Sequence, residues 1–329
     1  MAIYPWQAPQ WTQLARAWEA KRLHHAILLR GPAGRGKLEF GRHLANTLLC
    51  ENKQQGFQPC GACRGCHQFG VDAHPDYKPV GLLEDKRNIG IEQIRETISS
   101  LSLTPQYGDI KVALVAPADA MTRGAANSLL KTLEEPAGNS IFVLVADRIG
   151  LLPVTVRSRC LSLDFLQGDK QAALNWLQES LPGAVDADLL LALARGAPLL
   201  AKKLGESDEL SLRATLLDDL GRLTKDGADP VDIAKQWMNA ELDGLLSWLQ
   251  ALTVDLIRTR LYQHDALTNR DMAASLQALA EKLDLERLFQ LYDHSTDLQR
   301  AVAHRANFNH QLMLEDLAIA WAVGVPSRK

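Results

Sequence analysis

One eight-residue stretch constrains the fold of this chain more than any other feature. Residues 31–38 read GPAGRGKL, a phosphate-binding loop that is complete through its lysine. In such a loop, backbone N–H groups and a helix N-terminus surround the phosphates, and the lysine neutralises them. The apolar run at residues 26–29 predicts a buried strand before the loop, and residues 37–49 predict a helix after it. The candidate nucleotide-binding residues are Gly31, Gly34, Gly36 and Lys37.

The loop lacks a group that ATP hydrolysis requires. Position 38 is Leu, where an intact loop has a Ser or Thr hydroxyl that ligates magnesium. A working ATPase also needs acidic residues after a buried strand, to hold magnesium and polarise the attacking water. The strand predicted at 111–115 is instead followed by Ala116 and Pro117, and Asp119 beyond them is typical of a turn. These losses predict weak or no nucleotide binding and no hydrolysis.

Four of the five cysteines lie close together in the sequence. Cys50, Cys60, Cys63 and Cys66 have the spacing C-x9-C-x2-C-x2-C, which lets four thiolates converge on one ion. Zinc prefers such ligands, and four protein ligands leave no position for water, which is typical of structural zinc. The alternatives are a pair of disulfides, free thiols or a catalytic zinc. A closed structural Zn²⁺ site is the favoured interpretation.

Length and charge limit the classes of protein to consider. The 329 residues exceed what one hydrophobic core usually serves, which predicts two or three domains. The net charge is −3 and no dense Lys/Arg tract occurs, which argues against autonomous DNA binding. No apolar run approaches the roughly 20 residues that span a bilayer. We therefore expect a cytoplasmic protein without membrane contact.

One arginine stands out downstream. Residues 154–160 read VTVRSRC, and the alternation that follows, Leu161, Leu163 and Phe165, predicts an edge strand of the same sheet. Arg159 could reach into a neighbouring subunit and stabilise charge on a transferring phosphoryl group. On spacing alone, a surface or ion-paired arginine is the commoner interpretation.

The longer motifs resemble a known family. They are YPW at 4–6, HHA at 24–26, the four-cysteine cluster, HPDY at 74–77, AANSLLKTLEEP at 125–136 and SRC at 158–160. Over essentially the whole chain they are similar to the delta prime subunit of the bacterial DNA polymerase III clamp loader, in the AAA+ superfamily. The resemblance implies a five-stranded parallel sheet. It also implies that Arg159 acts in trans, as an arginine finger, on ATP held by an adjacent subunit.

Pattern and resemblance together predict the domain organisation. An α/β AAA+ P-loop domain, a doubly wound parallel sheet, is expected at residues 1–166, with an inserted zinc module at 50–75. A helical lid is expected at 167–206. Helical spacing of apolar residues predicts an all-α C-terminal domain at 207–329, which the resemblance makes the oligomerisation collar.

The resemblance also implies a function. It is that of a non-hydrolysing stator subunit, not an enzyme on its own, that helps load the sliding clamp on primed DNA. Its partners would be the motor (gamma/tau) subunits and the delta subunit in a hetero-pentamer. Leu199 stands where an active relative carries a phosphate-sensing arginine. The alternatives are an active clamp-loader motor ATPase and a zinc-dependent nucleic-acid-binding module.

Overall fold

The computed structural model describes residues 3–136, 138–166, 168–181, 183, 186–224, 228–303 and 309–323. The chain divides into two compact units. The first comprises Met1–Ser180 with Gly196–Leu200, and the second comprises Leu181–Arg195 with Ala201–Lys329. The expected division into three domains at residues 166 and 206 stays a prediction.

The first unit is built on a parallel five-stranded sheet with the strand order β2-β3-β4-β1-β5. The strands are β1 (Ala26–Arg30), β2 (Tyr77–Val80), β3 (Lys111–Val115), β4 (Ser140–Ala146) and β5 (Leu161–Asp164). β1, β3 and β4 are nearly continuous aliphatic runs, as expected for parallel strands that are covered on both faces. The predicted doubly wound sheet is confirmed, and β5 lies at its edge as expected.

Alternate residues of each strand enter two separate hydrophobic cores. Ile27 and Leu29 of β1 pack in one core with the first three α-helices of the chain, whereas Ala26 and Leu28 pack in the other with the next three. This division follows from the two-residue repeat of a strand, which points successive side chains to opposite faces. The helices are α1 (Ala8–Glu19), α2 (Lys37–Leu49), α3 (Arg64–Gly70), α4 (Ile91–Leu101), α5 (Arg123–Glu134) and α6 (Val154–Arg157).

Local signals set the ends of α5. The Thr122 hydroxyl accepts a hydrogen bond from Ala125 N at 3.2 Å, which caps the first turn. The helix ends at Glu134, and Pro136, which cannot donate a backbone hydrogen bond, follows two residues later. Short 3₁₀ helices lie at Pro5–Gln7, Ala118–Ala120 and Ile149–Leu151, and α7 (Lys170–Ser180) completes the continuous part of this unit.

Every secondary-structure element among the described residues of the second unit is a helix. Its elements are α8 (Ala187–Leu193), α9 (Pro198–Glu206, shared between the units), α10 (Glu209–Leu223), α11 (Pro230–Trp237), α12 (Leu242–Arg260), α13 (Ala273–Ala280), α14 (Leu285–Ala303), α15 (His310–Val323), and 3₁₀ helices at His264–Ala266 and Arg270–Met272. Leu245, Leu249 and Leu252 of α12, which have the helical spacing noted in the sequence, are fully buried. Across the described residues, no helix is both long enough and apolar enough to cross a membrane.

We predict that Asp76→Ala destabilises the first unit. The buried Asp76 carboxylate accepts hydrogen bonds from Gln106 N at 2.9 Å and Tyr107 N at 2.7 Å. Its loss leaves these donors without their acceptor and should lower the free energy of unfolding by about 2–4 kcal/mol. Urea unfolding measures the change. Asp109→Ala, at an exposed position on the same segment, should have little effect; equal stabilities for the two variants would contradict the role of Asp76.

Candidate functional site

The predicted phosphate-binding loop has the backbone conformation that its glycines allow. Gly31, Gly34 and Gly36 have φ values of 148°, 74° and 77°, which side chains other than glycine rarely adopt. A Cβ on Gly36 would also lie 2.6 Å from the Tyr4 ring. Gly36 directly precedes α2, so that the helix begins at Lys37. The loop therefore keeps the geometry of an anion site at a helix N-terminus.

The N-terminal segment holds this loop from one side. Gln7 Nε2 donates hydrogen bonds to the carbonyl oxygens of Arg35 and Gly36, at 2.9 Å and 2.8 Å. Trp6 Nε1 donates to the same Arg35 carbonyl at 3.1 Å. The Tyr4 ring stacks on Trp6 with the ring centroids 4.8 Å apart. The aromatic motif near the N-terminus, which sequence analysis noted only for its resemblance, thus has a structural role at the loop.

The start of α9 covers the loop at Gly34. Leu199 N donates a hydrogen bond to the Gly34 carbonyl oxygen at 3.0 Å. A Cβ on Gly34 would lie 2.4 Å from Leu200 Cγ, so that leucine packs directly on this glycine. The loop is therefore contacted by two leucines at the segment where the resemblance places an arginine in active relatives.

Lys37 is neutralised within the chain. Its Nζ lies 2.6 Å from Asp147 Oδ1 and donates a hydrogen bond to the Pro32 carbonyl oxygen at 2.6 Å. The Lys37 side chain is only 2% exposed. A buried ammonium without a counter-charge is unfavourable. Asp147 therefore supplies the negative charge that a phosphate would bring.

A cavity of about 410 Å³ lies beside the loop, and its chemistry does not favour magnesium. The positions that would handle the metal are occupied by Leu38, Ala116 and Pro117, none of which has a side-chain oxygen. The Leu38 side chain is 45% exposed there. The carboxylates that line the cavity are Asp147, which is held in the ion pair, and Glu39, which is half-buried on the first turn of α2.

Asp119 has the turn role that its position predicts. Its carboxylate accepts hydrogen bonds from Asp147 N at 3.1 Å and from Arg148 N at 3.3 Å. These bonds join the segment after β3 to the segment after β4. Asp119 thereby helps hold the backbone of the residue that pairs with Lys37.

The four predicted metal ligands come together in space. Their Sγ atoms all lie within 4.8 Å of one another, with 3.9 Å between Cys50 and Cys63 and 4.0 Å between Cys60 and Cys66. Four sulfurs around a tetrahedral zinc with bonds of about 2.3 Å are about 3.8 Å apart. A disulfide needs about 2.05 Å, so the disulfide alternative is wrong for these cysteines, all of which are free. The residues fit a tetrahedral metal ion.

The surroundings of the cysteines also suit a cation. Hydrogen bonds from the N–H groups of Ala62 and Cys63 lower the pKa of Cys60 to about 6. Burial has the opposite effect at Cys50 and Cys66, whose pKa values are raised. A divalent cation offsets this cost of burial because it stabilises the thiolate form of every ligand.

Arg159 lies on the turn between α6 and β5, and its partner is Glu134. Arg159 Nε donates a hydrogen bond to Glu134 Oε1 at 2.6 Å, and Nη2 donates to the same oxygen. Nη1 donates to the Thr155 carbonyl oxygen at 3.0 Å. The two charged side chains are 33% and 50% exposed. Within this chain Arg159 is thus an ion-paired surface residue.

Arg159 and the phosphate-binding loop lie at opposite ends of the parallel strands. The loop follows the carboxyl end of β1, whereas Arg159 precedes the amino end of β5. These strands are parallel, and Ile27 pairs with Leu161. A strand of five residues spans about 16 Å. Arg159 is therefore separated from the chain's own loop by about the length of a strand.

Comparisons with known proteins identify the family. DNA polymerase III subunit delta prime of Pseudomonas aeruginosa is 34% identical over 324 residues, which are 97% of each chain. This chain belongs to the DNA polymerase III delta prime family. The subunit of that name from Escherichia coli is 31% identical over 320 residues, which are 97% of this chain and 95% of the relative. The family resemblance found in the sequence is confirmed.

Two family models agree with this membership. The family model described as "DNA polymerase III, delta subunit" matches residues 6–169, and the model for the C-terminal part of the delta subunit matches residues 207–322. Among solved structures, a gamma subunit-related protein of Thermotoga maritima is similar with a TM-score of 0.43 and 19% identity. It covers 95% of this chain, which in turn covers 98% of it.

Two residues that contact the predicted site residues have no role among the predictions from the sequence. Asp147 directly follows β4, which is next to β1 in the sheet. The residues that follow neighbouring parallel strands lie at the same end of the sheet. That position was the available signal for its contact with Lys37. Glu134 offered no comparable signal, because its contact with Arg159 joins the end of α5 to a turn 25 residues away.

Proposed function

We propose that this chain is a non-hydrolysing stator subunit of the DNA polymerase III clamp loader. It helps to load the sliding clamp on primed DNA during replication in the cytoplasm. Its partners are the motor (gamma/tau) subunits and the delta subunit in a hetero-pentamer, through which it meets the clamp and DNA. The observation that carries the proposal is the ion pair between Lys37 and Asp147, in a loop without magnesium-handling side chains.

Two features support the loss of hydrolysis. A nucleotide would have to compete with Asp147 for the Lys37 ammonium, which reduces the gain from phosphate binding. A phosphoryl transfer site also needs magnesium to neutralise developing charge and a group that orients the attacking water. Leu38 and Ala116 supply neither of these. The loop therefore serves as a structural element of the subunit, with weak or no nucleotide binding.

The place of Arg159 supports a role toward a neighbour. Its guanidinium is partly exposed, and it lies at the end of the strands opposite the chain's own loop. An arginine supplied from outside a nucleotide site stabilises the charge of the transition state there. We assign Arg159 this role in trans, on ATP held by an adjacent motor subunit.

The cysteine cluster is proposed to hold one structural Zn²⁺. Cys50, Cys60, Cys63 and Cys66 provide four thiolates, which complete a tetrahedral shell without a position for water. The bound metal would tie the end of α2 to α3, because Cys50 directly follows α2 and Cys66 lies in α3.

We predict that Cys63→Ser releases the zinc. The substitution removes one of four ligands, so that metal content should fall from about one ion per chain to near zero. Proteolysis should then become faster within residues 50–66. Metal analysis of the purified chain measures the content, and Cys160→Ser, which alters the cysteine outside the cluster, is the matched control. Unchanged zinc in Cys63→Ser would refute the site.

We predict that Asp147→Asn strengthens nucleotide binding without creating an ATPase. Removing the carboxylate leaves the Lys37 ammonium available to phosphate, and a tighter affinity of about tenfold corresponds to a gain of about 1.4 kcal/mol. Equilibrium binding of labelled ATP to the isolated chain measures this change. Hydrolysis should stay at background in both the wild type and the variant.

Lys37→Ala is the control for this experiment, because it removes the cation that both the carboxylate and a phosphate contact. It should abolish the gain when combined with Asp147→Asn. Wild-type turnover above background that Lys37→Ala abolishes would instead support the active motor ATPase.

We predict that Arg159→Ala slows hydrolysis at one neighbouring site. Arginine fingers contribute about 10³ to 10⁵ in rate, so the adjoining site should become nearly silent. In an assembly reconstituted with the motor and delta subunits, ATP hydrolysis stimulated by clamp and DNA should fall by the share of that site. Clamp loading should slow in parallel.

Arg95→Ala is the matched control, since Arg95 is 60% exposed on α4 and pairs with Glu92. It removes the same charge from another surface of the first unit. Wild-type hydrolysis and loading in the Arg159→Ala assembly would show that the finger assignment is wrong.

A further inference from the structure

The hydrogen bonds of Arg159 divide its guanidinium into a held part and an available part. An arginine carries five N–H donors. Glu134 accepts from Nε and Nη2, and the Thr155 carbonyl oxygen accepts from Nη1. Within the described part of the chain, the second N–H of Nη2 has no acceptor, and the second N–H of Nη1 has only a long contact of 3.5 Å with Ser158 Oγ. N–H donors on both terminal nitrogens suit the oxygens of a phosphate.

Both ends of this contact are fixed to the same hydrophobic core. Leu133, next to Glu134, and Val156, on α6, are buried in the core that lies against one face of the sheet. His25 Nε2 donates a hydrogen bond to the Leu133 carbonyl oxygen at 2.7 Å, which ties the end of α5 to the residue before β1. Arg159 N donates to the Val156 carbonyl oxygen at 3.2 Å. The carboxylate is therefore presented to the arginine from a fixed place.

We propose that Glu134 is a positioning residue for Arg159, an inference that rests on the proposed function. It holds the Nε side of the guanidinium so that the terminal N–H groups face an outside acceptor. Without it, a long and partly exposed side chain would occupy several rotamers, and ordering it at the moment of contact would reduce the catalytic gain.

The pairing also has an opposing effect that the experiment must separate. A carboxylate beside the guanidinium lowers the net positive charge that a phosphate meets. If that effect dominated, removing Glu134 would raise the rate at the neighbouring site. We infer that positioning dominates, because Glu134 and a phosphate use different N–H groups of the guanidinium, whereas an arginine that is not held loses rotamer entropy on contact.

The test uses the reconstituted assembly with clamp and primed DNA. The quantity measured is the share of ATP hydrolysis that Arg159→Ala removes. Glu134→Ala should lower this share by about tenfold, because a small misplacement of a catalytic group has effects of that order or larger. Glu134→Gln keeps an acceptor oxygen at the same position and should recover most of the rate. Glu135→Ala, an exposed carboxylate one residue further on, is the matched control and should leave the rate unchanged.

A double-mutant cycle distinguishes positioning from a general structural effect. Glu134→Ala should have no further effect in an assembly that already carries Arg159→Ala, since the two residues act as one unit. A further loss there would assign Glu134 to folding or assembly and overturn the inference. A wild-type or raised rate in Glu134→Ala alone would also overturn it, as would a Glu134→Gln variant no better than Glu134→Ala.

The failure of this inference differs from the failure of the proposed function. If Arg159→Ala leaves hydrolysis unchanged, the finger assignment is wrong and Glu134 has nothing to position. If Arg159→Ala lowers hydrolysis and Glu134→Ala does not, only the positioning role is wrong. Thermal unfolding of each variant should match the wild type, because the pair is exposed.

Discussion

The parallel pairing of β1 with both β4 and β5 is the constraint on which the rest of the first unit depends. Burial on both faces selects the aliphatic strands and places helices over two cores. Because every strand runs in the same direction, all carboxyl ends lie on one side of the sheet and all amino ends on the other. The loops after β1, β3 and β4 meet at the carboxyl ends, and the turn before β5 lies at the amino ends. The two candidate sites of this unit are separated by that topology.

At the carboxyl ends of the strands, the loop has the backbone conformation of a phosphate-binding loop, and the charge of its lysine is neutralised by a carboxylate of the same chain. Lys37 is buried and needs an anion, and Asp147 provides one from the neighbouring strand. Gln7 and Leu199 bind backbone groups of the same loop. The contacts of this loop are thus made within the chain, and they are consistent with the proposed structural role of the loop.

At the amino ends of the strands, the chain presents a partly exposed ion pair. Arg159 and Glu134 stand on a turn and a helix end that pack on a common core, and both side chains reach solvent. An exposed pair of this kind adds little to stability. Its exposed location is consistent with the proposed contact to a neighbouring subunit.

The sequence by itself determined the features that arise from local periodicity and spacing. Aliphatic runs predicted β1, β3 and β4, the glycine pattern predicted the start of α2, and the spacing of Cys60, Cys63 and Cys66 predicted a common site. Only the tertiary structure decided that Asp147 neutralises Lys37 and that Glu134 holds Arg159. Both contacts join segments far apart in the chain, and the register of the sheet and the packing of α5 and α6 bring them together. Local sequence does not specify these side-chain contacts, because they depend on how separate elements pack around a shared core.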